Sequence, residues 1–141
     1  MTKKRSKSER GQAVVLFAIL IPVTALFFLG VIDYMVTNVR VMQTVAAADL
    51  AAHAGAQQIR VRPDGQPEAV SVQASAVAAA FFTAQAPAEA ALGSVSCGQI
   101  ADRPTCQVSA QVPSAGWLIP SQWITVRAQG YLVYGVTEGD Q

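Results

Sequence analysis

An aspartate four residues before a histidine, Asp49 and His53, and two cysteines separated by eight residues, Cys97 and Cys106, are the groups best equipped for chemistry in this sequence. At i and i+4 on a helix the carboxylate can reach the imidazole. A serine brought to the other ring nitrogen would complete a hydrolytic triad. No G-x-S-x-G elbow marks such a serine, and no G-x-x-x-x-G-K-[ST] or G-x-G-x-x-G loop is present to cradle a phosphate. His53 is the sole histidine, and a surface or packing role is expected for it. Two cysteines and one distant histidine cannot supply four zinc ligands, and they do not form the C-x-x-C of a redox pair. The expected use of Cys97 and Cys106 is a structural disulfide. No catalytic, cofactor-binding or metal-ligating residue is expected, and the chain reads as non-enzymatic.

The elements that must hold these groups follow from periodicity. From Ser94 onward the apolar period is two. In "CQVSAQV" Cys106, Val108, Ala110 and Val112 share one face, and in "QWITVRAQG" Ile124, Val126 and Ala128 do the same. A shorter strand, "SVSCGQ", puts Val95 and Cys97 on one side. Each cysteine thus takes the parity of its strand's valines, so the two can meet across a hairpin. Strands that are apolar on one side and polar on the other suit an antiparallel sheet covering a helix. "RVRPDGQPE" reads as a turn. A second helix is expected from about Pro67, with Glu68 in its first turn and Val70, Ala74, Val77 and Phe81 as its core stripe. Trp117 and Trp123, with Tyr131 and Tyr134, are candidates for a contact surface or for positions near lipid headgroups.

Upstream of all this, "ERGQAVVLFAILIP" passes abruptly from charge to grease. Residues 12–32 carry no formal charge, and fourteen of those 21 are Val, Leu, Ile or Phe. As a helix rising 1.5 Å per residue they span about 31 Å, against a hydrocarbon core of roughly 30 Å. Their insertion is favoured by roughly 4 to 8 kcal/mol, before Gln12, Pro22 and Thr24 are set against it. A cleaved signal has a shorter apolar region and a small-x-small cleavage site after it; here "DYMVTNVRVMQTV" follows. The run is therefore expected to stay in the membrane, with Asp33 as an interfacial residue at its outer end.

Charge supports that reading. Lys3, Lys4, Arg5, Lys7 and Arg10 stand against Glu9 alone in residues 1–11, a net of +4, whereas residues 12–141 hold five arginines and eight acids, a net of −3. A basic flank beside an apolar span sets topology, because the translocon retains it inside. Nucleic acid is not an expected partner, since no aromatic side chain is interleaved with these charges. Beyond the span, residues 33–60 lack proline, and Val39, Met42, Ala46, Leu50 and Ala52 recur at helical spacing. The same helix should continue outward. Its small-residue tract "VAAADLAAHAGA" either permits close helix packing or reflects alanine's helix propensity.

The expected architecture is α+β. It comprises a basic cytoplasmic leader (1–11), a transmembrane helix (12–32), an extension of that helix (33–60) and a small extracytoplasmic domain (61–141) with a second helix and an antiparallel sheet of about three strands.

The run "RGQAVVLFAILIPV", followed by "GVIDY" and "VMQTVAAADLAAHAGA", resembles the TadE/TadG-like proteins of the tight-adherence, or Flp, pilus assembly system. The resemblance covers about residues 9–57 and rests on R-G-Q, Pro22, Asp33 and the Ala-Asp-Ala-Gly tract together. It implies a single-pass protein of the bacterial cytoplasmic membrane, a minor pilin-like or pilus-associated subunit without cofactor. Its implied partners are the membrane and other Flp/Tad pilus or secretion-system subunits. In the processed branch a prepilin peptidase cuts after the glycine, so Gly11 and Gln12 form the candidate cleavage site. The fifth residue after that cut, usually glutamate, is here Leu16. Leu16 favours the retained anchor, and cleavage stays the alternative. A membrane-tethered module binding an envelope polymer, unrelated to pili, is the second functional reading.

Overall fold

Helix α1 runs unbroken from Lys7 to Ala56 in the computed structural model, which describes residues 7–100, 103–118 and 120–132. Pro22 lies inside it; proline has no N–H, so one turn loses a ladder bond. Two residues on, the Thr24 hydroxyl donates to the Leu20 carbonyl at 2.8 Å. The inner half of α1 is bare: the rest of the chain buries 0% of its most apolar window. The outer half is the spine of a small domain.

Three strands form an antiparallel meander in the order β3 (Ala91–Ile100), β4 (Arg103–Pro113) and β5 (Trp123–Tyr131). Their period-two pattern is realised, with Cys106, Val108, Ala110, Val112 and Val126 buried against the helices. Ala128 packs against the same core. β3 begins at Ala91, earlier than the alternation around Ser94 suggests, and an irregularity between Leu92 and Ser94 leaves Gly93 out of the pairing. The stretch between the cysteines is mostly strand: Gly98, Gln99 and Ile100 pair with Thr105, Pro104 and Arg103.

Helix α2 (Ser71–Gln85) packs on α1 and β3. Its start corrects the expectation of a helix from Pro67. Residues Pro67–Ala69 instead form β2, paired antiparallel with β1 (Ile59–Val61). The reason lies in the turn between them. Gly65 adopts φ +81°, the Arg62 N–H donates to the Gln66 carbonyl at 2.8 Å, and the Gln66 N–H donates to Asp64 Oδ1 at 3.0 Å. With the hairpin closed, Glu68 meets Arg60 and Arg62 at 3.7 and 3.5 Å instead of capping a helix. The core stripe of α2 is also displaced: Ala74, Ala78 and Phe82 are buried, while Phe81 is 48% exposed.

A similar correction applies to α1. Val39, Met42 and Leu50 do not face the core; Met42 is 72% exposed. The buried face is Thr44, Ala47, Ala48, Ala51, Ala52 and Ala56. The helix lies so close to the sheet that only small side chains fit between them. A Cβ on Gly130 of β5 would stand 2.5 Å from the Ala52 carbonyl carbon and the His53 nitrogen. One on Gly55 would stand 2.6 Å from Cys106 Sγ. The helix ends at Ala56, short of the expected residue 60.

The α+β class, the long apolar helix with its outward extension, the second helix and the three-stranded antiparallel sheet are as the sequence predicts, with the β1–β2 hairpin added.

Candidate functional site

Cys97 and Cys106 are directly opposite in the β3–β4 register, and their sulfurs are at bonding distance. Cys106 is fully buried beneath Gly55. The bridge therefore ties the outer edge of the sheet where it meets the end of α1. Closing this short loop stabilises the fold by about 2–3 kcal/mol in the chain-entropy account.

Asp49 and His53 come together as their spacing requires, His53 Nε2 lying 3.7 Å from Asp49 Oδ1. Both side chains are about half exposed, at 46% and 54%. The described hydrogen bonds bring no serine hydroxyl to the imidazole. Among the described residues no group of three or more His, Cys, Asp or Glu side chains is placed to hold a metal.

Gly11 and Gln12 are consecutive residues of α1, and Leu16 is exposed one turn further on. Lys7 and Arg10 belong to the first turn of the helix. Lys3, Lys4 and Arg5 lie outside the described residues, as does Tyr134.

Two surfaces emerge that residue types alone do not reveal. The first is the flank of α1 turned from the sheet. Met35, Val39, Met42 and Leu50 are exposed there, at spacings that keep them on one side of a helix. Beside them run two open grooves of ≈ 370 and ≈ 350 Å³, with Gln43 and Pro87 lining both. Arg40 and Glu89 span the second at 3.7 Å.

The second is the connection between β4 and β5. Thr37 Oγ1 accepts from the Ala115 N–H at 3.0 Å, and Asp33 Oδ1 accepts from the Trp117 N–H at 3.4 Å. Asp33 and Thr37 are one turn apart on α1, so together they clip the loop to the helix. Asp33, expected only as an interfacial residue, thus has a structural partner. The signal available in the sequence was the i, i+4 pair of short polar side chains just past an apolar span. Leu118 reaches Gly30, and a cavity of ≈ 290 Å³ lies under the loop.

The outer face of the sheet is polar. A shallow trough of ≈ 500 Å³ there is lined by Ser94, Ser96, Gln107, Ser109, Arg127 and Gln129 among others.

Residues 11–58 match the family model described as "Putative Flp pilus-assembly TadE/G-like". The matched segment is nearly coextensive with α1, ending two residues after it. The matched segment takes in Pro22, Asp33 and the alanine-rich tract on which the resemblance rests, so it is α1 that is similar to this family. No curated protein and no solved structure matches the chain.

Proposed function

We propose that this chain is a non-enzymatic, membrane-anchored component of Flp pilus assembly, a minor pilin-like or pilus-associated subunit. The observation that carries this reading is the family match over residues 11–58, which falls on the one helix joining the apolar span to the outer domain. A helix that is both lipid anchor and domain core transmits position directly, since no flexible linker intervenes between Gln12 and Ala56. The basic flank keeps the N-terminus in the cytoplasm, and the outer domain lies on the other side, where the disulfide is chemically permitted.

The anchor stays uncut in this reading. Cleavage after Gly11 would leave an ammonium at Gln12, and Leu16 offers no carboxylate to neutralise it; an unpaired charge in an apolar surrounding is costly. Cleavage would instead make prepilin peptidase a partner. Contacts with other pilus or secretion-system subunits use the apolar flank of α1 at Met35, Val39, Met42 and Leu50, which continues the exposed surface of the span.

The polar trough around Arg127 is what favours the second reading, a tethered module for an envelope polymer. Disrupting the gene in its host separates the two. Loss of Flp pili and of surface adherence supports the assembly role, and intact pili with altered polymer retention supports the module. Replacing His53 with alanine is expected to leave adherence unchanged; loss of adherence with the fold intact would return hydrolytic chemistry to consideration.

A further inference from the structure

We infer that the loop between β4 and β5 is a second membrane-docking element, in which Trp117 and Leu118 enter the headgroup–acyl boundary of the leaflet facing the outer domain. The inference rests on the membrane anchorage of α1 and is independent of any role in pili.

Depth is the first argument. Leu118 packs against Gly30, and Trp117 is tied to Asp33. Gly30 lies within the uncharged run 12–32, and Asp33 is the first charge after it. The loop therefore sits level with the end of the span, at the height where lipid must already cover the helix. Exposure is the second. Trp117 is 63% and Leu118 45% exposed, and Tyr34, on the same stretch of helix, is 70% exposed. Tryptophan and tyrosine favour this zone because one end of the ring system is apolar and the other seeks a hydrogen bond.

Backbone satisfaction is the third. Irregular backbone is tolerated near the hydrocarbon only when its polar groups are partnered within the protein. Here the N–H groups of Ala115 and Trp117 donate to Thr37 and Asp33. The Ser114 N–H donates to the Gln122 carbonyl at 2.9 Å, and the Gln122 N–H returns to Ser114 Oγ at 3.0 Å. Gly116, at φ +72°, makes the reversal and leaves no room for a side chain against Ser121. Four backbone N–H groups of the connection are thus partnered within the protein, while the side chains of Trp117 and Leu118 stay exposed. Docked in this way, the loop fixes the rotation and height of the outer domain about α1.

The test uses the full chain in lipid nanodiscs, whose two faces are both open to solvent. W123F leaves Trp117 as the only tryptophan, and a variant carrying F17W, W117F and W123F reports on the span itself. Emission is compared between ordinary phosphatidylcholine and phosphatidylcholine brominated near the headgroup end of its chains, with aqueous iodide as the opposing quencher. The expected result is a loss of Trp117 emission to brominated lipid and little loss to iodide. Trp117 quenched by iodide and untouched by brominated lipid, while the F17W reporter responds to lipid, overturns the inference and leaves the anchorage standing. Shielding of Trp117 from both quenchers would assign the loop to a protein contact and equally overturn it. If the F17W reporter also ignores the lipid, anchorage and inference fall together.

Discussion

Gly130 and Gly55 decide how near α1 can come to the sheet. At Gly130 the atoms in the way are backbone atoms of Ala52 and His53, which cannot rotate aside. Gly130→Ala should cost about 1–3 kcal/mol or more, the range for overpacking a tight core. Gly98→Ala, with nothing within 4 Å of the added methyl, is the matched control and should leave the melting temperature nearly unchanged. Thermal unfolding of both variants in detergent compares them directly. A second prediction concerns the clip: Thr37→Val keeps the shape of the side chain but removes the acceptor for the Ala115 N–H. The bond is part-buried, so its loss should cost about 0.5–1.5 kcal/mol, the usual net worth of a hydrogen bond, and faster amide exchange at Ala115 would report it. Gly55 stood out in the sequence only as part of the small-residue tract, and Gly130 and Thr37 did not stand out at all. A glycine near the end of a strand and a threonine in a helix are common, and only the crossing of two remote segments gives them work.

Helix α1 explains why periodicity located the elements and misassigned some of their faces. Large apolar side chains recur along its outer half at helical spacing, and such a stripe usually marks the core. Here the core takes the alanines, because a three-stranded sheet and α2 close on the helix from one side at short range, leaving Met42 and Leu50 outside. Leu50→Gln should therefore change stability by no more than about 0.5 kcal/mol, as at other exposed positions, yet weaken pilus-dependent adherence if that flank meets other subunits. A large loss of stability would mean that the flank is core after all. The strands were more legible than the helices, since a one-residue error in a strand reverses every side chain, so that Val108, Ala110 and Val112 left little freedom. The β1–β2 hairpin escaped notice because three-residue strands are too short for an alternation to register, and Pro67 followed by Glu68 also suits a helix start. The cysteine pair lay between these cases: its parity was visible, its register was not. Reduction of Cys97–Cys106, or Cys97→Ala with Cys106→Ala, should lower stability by about 2–3 kcal/mol, read as a shift in the urea midpoint with and without reductant.

Across the whole molecule one helix combines two incompatible-looking stretches, an apolar rod that fits a membrane anchor and the spine of a protein core, and the boundary between them falls near Asp33. Below it the chain buries none of the apolar window. Above it the same rod packs on α2, β4 and β5, mostly through alanines. The arrangement leaves the outer domain little freedom to swing, which suits the proposed role of presenting a surface to other subunits at a fixed height. Intact mass of the membrane-extracted protein addresses its processing, and the account expects residues 1–11 to be present. The most direct test of anchorage and orientation is protease treatment of intact spheroplasts, followed by recovery of the membranes after an alkaline wash. The account predicts that the outer domain is digested from outside while a fragment containing residues 12–32 remains in the membrane pellet. A chain released by the wash, or a C-terminal domain that survives until the membrane is broken, would contradict it.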